Sequence, residues 1–469
     1  MELIRSISGI RGIIGKNFNP SIAASYAESF CYIQSSYNTD SKPIVISRDT
    51  RNQGDEISDA IKESLTSLGL DIYDIGIAPT PVIQHLVTKL KCGAGIMITA
   101  SHNPEEWNGL KFIDSDGCFI DSEKNQKLFT HYDTILSSDS KETEALTPIK
   151  NKKGSITDKT YAIDSFIDDL FSMQFINIEQ IKNKKFKVVI DAINGANYQL
   201  LPNILNQLNC EVIQLFCDNS GKFERNPEPI AKNLDILSKK VIQHNADIGL
   251  ACDPDGDRLS IVDEKGTPIG EEATLVLCSD DYYNETKSKT PLITNLSSTM
   301  SLDYIAKKHN VKIFRSPVGE ANVIKLMKEK KSLIGGEGNG GVIMKDFHLG
   351  RDSLIATMMI LNKLSKDDKF SLSESIKDAP KYHMVKSKIP IPVNINLKKM
   401  YDFLIKKYPE VTFDTQDGLK LIWNNKWVHI RSSNTEPIIR IIGEALTPNK
   451  INHLIEKTIN NINNFIIEN

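Results

Sequence analysis

The sequence lacks the features that mark membrane, secreted and nucleic-acid-binding proteins. No apolar run among its 469 residues approaches the roughly 18 residues that a bilayer span needs. Residues 1–15 contain no continuous apolar stretch and no small-residue cleavage site, so we expect no signal peptide. The 57 basic and 60 acidic residues leave a net charge of −3, which argues against a polybasic nucleic-acid binder.

The cysteines exclude two further classes. There are seven, an odd number, scattered along the chain, and none belongs to a Cys-x-x-Cys pair. The pattern therefore fits neither a disulfide scaffold nor a zinc site. The chain is 40% hydrophobic and about three average domains long, which predicts a soluble, cytoplasmic, multidomain globular protein.

A β-α-β-α-β pattern occurs three times along the chain. Short apolar runs alternate with stretches of helical periodicity, which predicts three parallel, doubly wound α/β domains. The predicted strands are residues 42–47, 71–75, 93–99, 186–190, 211–216, 247–251, 292–295, 312–315 and 332–335. The helices specified between them are residues 56–68, 81–90, 301–309 and 319–328.

The C-terminal part of the chain has a different pattern. Residues 418–423 and 427–431 are strand-like and flank a plausible hairpin turn at Asn424-Asn425-Lys426. A further strand at 438–443 and a helix at 448–466 complete a predicted α+β domain that begins near residue 375.

Unusual residues follow the third strand of each repeat. Ligands bind beyond the carboxyl ends of strands in open α/β sheets, so these loops are candidate binding sites. Their sequences are Thr99-Ala100-Ser101-His102-Asn103-Pro104, Asp253-Pro254-Asp255-Gly256-Asp257-Arg258 and Gly336-Glu337-Gly338-Asn339-Gly340-Gly341.

The second loop suggests a metal site. A tight loop can aim Asp253, Asp255 and Asp257 at one point, and their mutual repulsion favours a hard cation, Mg²⁺ or Ca²⁺, between them. A polar surface hairpin would also explain the residue types. An EF-hand is disfavoured because Arg258 stands where that loop needs glycine. The Asp-x-Asp-Gly start of haloacid-dehalogenase-type phosphatases, with Asp253 as nucleophile, remains a competitor.

The first loop offers a hydroxyl opposite those carboxylates. Ser101 could be an ordinary turn or N-cap serine. It lacks the Gly-x-Ser-x-Gly elbow of hydrolases, and we expect the adjacent Ser101 and His102 side chains to diverge. A phosphoserine would explain better why a serine lies opposite the three aspartates, because the cation and Arg258 would offset the charge of its phosphate.

Two polar loops complete the candidate site. Glu337 and Asn339 pair an acceptor with an amide, as sugar hydroxyls require, although a tight turn would also explain the glycines. In the tail, residues 431–437 combine Arg431 with three hydroxyls at a turn. Such a turn could bind a phosphate dianion, or it could be an ordinary polar turn without a ligand.

Together the four loops resemble those of the α-D-phosphohexomutase superfamily, in the same order and over essentially the whole chain. The loops of Ser101, Asp253, Gly336 and Arg431 resemble its phosphoserine, Mg²⁺, sugar and phosphate loops. Residues 8–12, which include Arg11, and residues 48–51 also resemble family elements near the active site. The Gly336–Gly341 loop is most similar to that of archaeal-type phosphoglucosamine mutases.

The resemblance implies four domains around a central cleft and a phosphohexose mutase that works through a phosphoserine and a bisphosphate intermediate. The implied domains are 1–155 (phosphoserine), 156–267 (metal), 268–372 (sugar) and 373–469 (phosphate). The implied ligands are one Mg²⁺ per chain, a hexose phosphate substrate and an activating hexose bisphosphate. The resemblance implies no nucleic-acid or membrane partner and a monomer or homodimer.

The resemblance also assigns roles to residues. Ser101, Lys111, Arg11 and His102 are the expected catalytic residues, and Lys111 resembles a lysine proposed to help proton transfer. Ser101, Asp253, Asp255 and Asp257 are expected to hold the metal. Substrate contacts are expected from Arg258, Glu337, Asn339, Arg431, Ser433, Asn434, Thr435 and Arg440.

The sugar loop departs from many relatives. Asn339-Gly340-Gly341 replaces a Ser-Gly-His ending, so the family histidine is missing. His348 is either a substitute for it or a structural histidine. Phosphoglucosamine mutase is the first expectation and phosphomannomutase/phosphoglucomutase the second. An Asp-nucleophile phosphatase and a catalytically silent phosphosugar-binding protein are the rivals from other classes.

Overall fold

The computed structural model describes residues 3–35, 42–137, 152–366, 371–392, 395–432 and 438–468. These ranges contain four sheets flanked by helices, which confirms the α/β class and the three repeats followed by an α+β unit. None of their helices has the length and apolar character that crossing a bilayer requires.

The first sheet has seven strands in the order β1-β2-β6-β5-β3-β4-β7. Its strands are β1 (Ile4–Ser6), β2 (Gly9–Ile13), β3 (Ile44–Arg48), β4 (Ile72–Ile77), β5 (Ala94–Ile98), β6 (Trp107–Asp114) and β7 (Ile156–Asp158). Its helices are α1 (Pro20–Ser35), α2 (Gly54–Ser67), α3 (Thr80–Lys89) and α4 (Ser122–Ser137). Because β7 pairs with β4, the first sheet includes residues up to Asp158.

The second sheet has the order β11-β10-β8-β9. Its elements are α5 (Ala162–Phe171), α6 (Ile178–Lys184), β8 (Lys187–Asp191), α7 (Leu200–Gln207), β9 (Glu211–Leu215), α8 (Asp235–His244), β10 (Ile248–Cys252) and β11 (Leu259–Val262). All residues of β10 and β11 are buried, which explains why β10 forms a continuous apolar run rather than an alternating pattern.

The third sheet has the order β13-β12-β14-β15-β16. Its elements are α9 (Glu272–Thr286), β12 (Leu292–Asn295), α10 (Ser301–Lys308), β13 (Ile313–Ser316), α11 (Glu320–Lys330), β14 (Ile334–Glu337), β15 (Gly341–Met344), β16 (His348–Arg351) and α12 (Ser353–Ser365). Asp352 caps α12 by accepting hydrogen bonds from two backbone N–H groups of its first turn.

The fourth sheet has the order β17-β21-β20-β19-β18. Its elements are α13 (Leu372–Ser375), β17 (His383–Pro390), α14 (Leu397–Lys407), β18 (Thr412–Asp414), β19 (Leu419–Trp423), β20 (Lys426–Ser432), β21 (Ile438–Ala445) and α15 (Pro448–Glu468). Trp423 pairs with Lys426, so Asn424 and Asn425 form the predicted hairpin turn.

Each repeat combines the predicted parallel strands with one antiparallel strand. The first three strands of each repeat are parallel, but the fourth, β6, β11 or β15, is antiparallel to the third. Each candidate loop therefore reverses the chain between two neighbouring strands. Both ends of such a loop are fixed by the hydrogen bonds between the flanking strands, so the loop can adopt few conformations.

The first three repeats are packed together more tightly than the fourth domain is packed against them. One apolar cluster runs through all three repeats, whereas the fourth domain has a separate core. Its contacts with the third repeat include polar ones: Ser297 Oγ lies 2.8 Å from His429 Nδ1, and Met300 N donates to Glu444 at 2.8 Å. This arrangement places the fourth sheet across a cleft from the three candidate loops.

Candidate active site

A cavity of about 1300 Å³ lies between the three loops and the fourth sheet. Most of the predicted site residues that the structure describes line it, while the three aspartates lie buried immediately behind Ser101. The predicted residues at its wall are Arg11, Ser101, His102, Lys111, Arg258, Glu337, Asn339, Arg431 and Arg440. Ser433, Asn434 and Thr435 lie outside the described residues.

The Ser101 loop is held by a buried arginine. Arg51 pairs with Asp49 and donates to four carbonyl oxygens at 2.5–2.9 Å, those of the loop residues Ser101, Asn103 and Pro104 and of Trp107, the first residue of β6. Ser101 itself has a φ of 51°, in the left-handed region that costs a non-glycine residue energy. The surrounding hydrogen bonds therefore impose a backbone conformation that fixes the direction of the serine side chain.

Ser101 Oγ is 3.4 Å from Asp253 Oδ2 and 3.4 Å from His102 Nδ1. The expectation that the Ser101 and His102 side chains diverge is wrong, because the left-handed serine turns its hydroxyl back toward the neighbouring ring. The positive charge of Arg258 and burial hold the pKa of His102 well below its usual value. A neutral imidazole therefore lies beside the hydroxyl.

The Asp253–Asp257 turn brings three buried carboxylates together. One oxygen from each lies within 4.8 Å of the others. Gly256 has a φ of 69°, and a Cβ there would lie 2.6 Å from Asn197 Nδ2, so this sharp turn requires glycine. The flanking elements are strands, which confirms that the loop is not an EF-hand.

Burial and like charges set the protonation of the trio. Burial and the charges of Asp257 and Asp255 raise the pKa of Asp253 well above its usual value. Burial would do the same to Asp257, but Arg351, Lys111 and Arg258 outweigh it and lower the pKa of that carboxyl. Three adjacent carboxylates thus depend on nearby cations to stay ionised.

The donor set fits a hard cation. Asp255 Oδ2 accepts from Thr80 Oγ1 and Lys111, and Asp257 Oδ2 accepts from Lys111 and Arg351. The second oxygens, Asp255 Oδ1 and Asp257 Oδ1, are buried without a hydrogen-bond partner among the described residues. Carboxylate oxygens are the ligands that Mg²⁺ prefers, and the donors on the other oxygens fix the orientation of these two carboxylates.

Three cations, Lys111, Arg11 and Arg258, line the cavity together with Ser101. Lys111 Nζ is buried, and burial would lower its pKa, but Asp255 and Asp257 outweigh this and raise it. Arg11 donates to Asn103 Oδ1 at 2.7 Å, and burial lowers its pKa to about 10. Arg258 Nε lies 3.7 Å from both Asp253 and Asp257 and has no hydrogen-bond partner among the described residues, so it can donate to an anion.

Glu337 is the last residue of β14 and is 4% exposed. Its Oε1 accepts from Asn295 Nδ2 at 2.8 Å and Gly319 N at 3.0 Å, and its Oε2 accepts from Arg351 at 2.9 Å and Asn339 at 3.4 Å. Four donors approach the capacity of one carboxylate, so its orientation at the cavity wall is fixed.

His348 is a structural residue. Its Nε2 lies 3.0 Å from Asp352 Oδ2, and its ring packs edge-on against His85 and Phe347. It does not line the cavity. The structure therefore supports the structural interpretation of His348 over its use as a substitute for the missing histidine.

Two arginines face the cavity from the fourth sheet. Arg431 on β20 is paired directly opposite Arg440 on β21. Burial lowers the pKa of Arg431, and its Nε is buried without a hydrogen-bond partner among the described residues. Like charges at opposite positions repel each other, so an anion at this point would stabilise the pair.

Sequence reasoning missed several residues that shape the site. Thr80, Asn295 and Arg351 hold the acidic side chains, and Lys386 lines the cavity while pairing with Glu271 at 2.9 Å. They belong to no motif. Thr80 and Asn295 do lie at the carboxyl side of predicted strands, which was the one available signal.

The fold and the cleft together define a four-domain α/β enzyme of the phosphohexomutase class. Three family models match in chain order: "Phosphoglucomutase/phosphomannomutase, alpha/beta/alpha domain I" at residues 3–139, domain II at 164–266 and domain III at 271–382. The chain belongs to this family, within the α-D-phosphohexomutase superfamily, whose members are isomerases.

Relatives with different names match almost the whole chain. A "Phosphoglucomutase/phosphomannomutase" of Thermococcus kodakarensis is 34% identical, and the match covers 96% of each chain. A "Phosphoglucosamine/phosphogalactosamine mutase" of Sulfurisphaera tokodaii is 29% identical over 96% of each. A crystal structure of a phosphoglucomutase/phosphomannomutase family protein from Burkholderia thailandensis shares the fold, with a TM-score of 0.83, 24% identity and coverage of 98% and 97%.

We expect the protein to bind one Mg²⁺ and Asp255→Asn to weaken that binding at least about 10-fold. Loss of an outer-shell partner alone typically costs about 10–100-fold, and Asp255 supplies one of the two unpartnered oxygens. Titration calorimetry measures the affinity, and turnover should fall severely in a folded variant. Asp263→Asn, in the same repeat but outside the trio, is the control. Equal affinities of Asp255→Asn and wild type would contradict the assignment.

Proposed function

We propose that the protein interconverts hexose 1-phosphates and hexose 6-phosphates through a phosphoserine at Ser101 and a hexose bisphosphate. The observation that carries this proposal is the position of one strained, buried serine. Ser101 faces Asp253 on one side and, across a single cavity, the Arg431–Arg440 pair on the other. A reacting group and a distant anion site are what a mutase with a bisphosphate intermediate needs.

In the proposed step, a sugar hydroxyl oxygen attacks the phosphorus of phosphorylated Ser101. The new oxygen–phosphorus bond forms on the sugar as the bond to Ser101 Oγ breaks. The hydroxyl loses its proton to a base, and the serine oxygen gains one. The sugar bisphosphate then turns within the cleft, and the reverse of the same step returns its other phosphoryl group to Ser101.

Positioning and charge supply most of the catalysis in such a transfer. Mg²⁺ held by Asp253, Asp255 and Asp257 would offset charge on the transferred group. Arg258 would donate to its oxygens, since its Nε lies beside the trio without a hydrogen-bond partner among the described residues. Arg11, fixed by Asn103, would hold the reacting phosphoryl group or Lys111 in place.

Proton transfer is assigned first to Lys111. Its buried amine lines the cavity and contacts two of the three aspartates. His102 is the second candidate because its ring lies 3.4 Å from Ser101 Oγ. Glu337 and Asn339 would bind sugar hydroxyls, and Arg431, Arg440 and the adjoining residues Ser433, Asn434 and Thr435 would bind the phosphate that does not react.

For the substrate, we propose glucosamine phosphate first and mannose or glucose phosphate second. The similarity of the Gly336–Gly341 loop to phosphoglucosamine mutases supports the first choice, and the names of the relatives include both activities. A hexose bisphosphate activator, a cytoplasmic location and a monomeric or homodimeric state remain predictions. The domain limits also remain proposals.

We expect Ser101→Ala to abolish turnover, because the serine Oγ is the oxygen that would carry the phosphoryl group. Intact-mass analysis of the wild-type protein should show a fraction one phosphate heavier, mapped to the peptide with Ser101. Ser115→Ala, an exposed serine of the same repeat, is the control and should keep wild-type turnover. An acid-stable, hydroxylamine-sensitive phosphate on Asp253 would instead indicate the phosphatase.

We expect the specificity constant to be higher for glucosamine 1-phosphate than for mannose 1-phosphate. The physical reason would lie in the sugar loop, which is the part of the cavity wall most similar to phosphoglucosamine mutases. Side-by-side assays with glucosamine, glucose, mannose and N-acetylglucosamine phosphates, with bisphosphate present, measure it. A mannose value equal to or above the glucosamine value would reverse the substrate choice.

We expect Arg431→Ala to weaken binding of both the 1-phosphate and the 6-phosphate by roughly 10- to 150-fold. A charge-assisted hydrogen bond is worth ~1.5–3 kcal/mol, and about 1.4 kcal/mol corresponds to tenfold. One cradle serves both orientations, so forward and reverse reactions should suffer alike, and more bisphosphate should escape.

Lys426→Ala, at the far end of the same strand, is the control for this experiment. Impairment in one direction only would mean that the two orientations do not share the cradle. Release of bisphosphate, followed by chromatography during turnover, provides the second measurement.

A further inference from the structure

Arg351 joins three carboxylates that belong to different parts of the cleft. Its Nη2 donates to Asp257 Oδ2 at 2.6 Å, its Nη1 to Glu337 Oε2 at 2.9 Å and its Nε to Glu320 Oε2 at 2.8 Å. The residue is 7% exposed and ends strand β16. Each nitrogen of the guanidinium thus has a separate acidic partner.

The partners lie in two of the candidate loops and at one helix start. Asp257 belongs to the acidic turn of the second repeat, and Glu337 lies in the sugar loop of the third. Glu320, the first residue of α11, anchors the guanidinium. Because a guanidinium is planar and rigid, a shift of one partner changes the hydrogen-bond geometry of the others.

The sugar loop also packs directly on the Arg351 stem. A Cβ on Gly341 would lie 2.2 Å from Arg351 Cδ, so the loop backbone approaches the side chain as closely as glycine permits. The loop conformation and the arginine position therefore depend on each other through contact as well as charge.

The two carboxylates belong to two different binding regions. Arg351 and Lys111 occupy Asp257 Oδ2, and Oδ1 is buried without a hydrogen-bond partner among the described residues. Glu337 takes Arg351 on Oε2 and lies at the cavity wall beside Asn339. Arg351 therefore orients a cation-binding group with one nitrogen and a sugar-facing group with another.

We propose that Arg351 is a positioning residue that couples cation binding at the acidic trio to sugar binding at the Glu337 loop. The inference rests on the proposed function for the identity of the two ligands. A cation that fixes Asp257 also fixes Arg351 and hence Glu337, and a sugar that orders Glu337 orders Asp257 in return. Each ligand consequently raises the affinity for the other by the same factor.

The experiment measures binding in a Ser101→Ala background, where no turnover can occur. Titration calorimetry gives the Mg²⁺ affinity of the protein alone and the glucosamine 6-phosphate affinity with and without saturating Mg²⁺. With Arg351 intact, we expect Mg²⁺ to tighten sugar phosphate binding about fivefold or more, a typical coupling. Arg351→Gln should weaken Mg²⁺ binding about 10- to 100-fold and reduce the coupling to below about twofold.

Two comparisons separate positioning from general damage. Arg315→Met removes another arginine of the third repeat, which contacts Asp303 and loop carbonyls but neither Asp257 nor Glu337, and should leave Mg²⁺ affinity at the parental value. Arg351→Lys keeps the charge, but one ammonium lacks the three separately directed nitrogens of the guanidinium, so it should restore affinity only in part.

A folded Arg351→Gln protein with parental Mg²⁺ affinity and coupling would overturn the proposal. If that variant does not fold, Glu337→Gln decides: it should keep Mg²⁺ affinity within about threefold while losing the coupling, and retained coupling would overturn it. Failure of the proposed function would show itself separately, as absent turnover of every hexose phosphate by the wild-type protein, which these binding measurements do not use.

Discussion

The burial of three carboxylates in one five-residue turn is the constraint on which the rest of the site depends. Asp253, Asp255 and Asp257 cannot all be ionised in a dry interior without positive charge, and the chain surrounds them with Lys111, Arg258 and Arg351. These cations come from three different repeats. Charge compensation of the turn therefore ties the three repeats together, and two buried carboxylate oxygens, Asp255 Oδ1 and Asp257 Oδ1, keep no hydrogen-bond partner among the described residues.

The repeated topology explains why such an arrangement arises at all. In each repeat a parallel third strand reverses into an antiparallel fourth strand, and the reversal carries the chemistry. A continuous apolar core locks the three repeats together, so their loops form a fixed wall. The fourth sheet meets them partly through polar contacts such as Ser297 with His429, and presents Arg431 and Arg440 from the other side.

Sequence patterns predicted the elements that depend on neighbouring residues in the chain. They missed the features that arise only when distant parts of the chain pack together. Strand 292–295 and the Asn424-Asn425 turn follow from apolar runs and turn chemistry. Helix α12 was not predicted because it is buried on nearly all sides and shows no amphipathic period. Arg351 belongs to no motif, since its role arises only when β16 lies beside two acidic loops. Ser101 was found, but not its left-handed backbone, which Arg51 imposes.

The most direct test of the account follows a labelled phosphoryl group through one turnover. The wild-type protein is loaded with radiolabelled phosphate on Ser101, freed of excess label and mixed with unlabelled hexose 1-phosphate and Mg²⁺. The account predicts that label leaves the protein and appears first in a hexose bisphosphate and then in hexose 6-phosphate. Label released as inorganic phosphate, or retained on the protein while product forms, would contradict it.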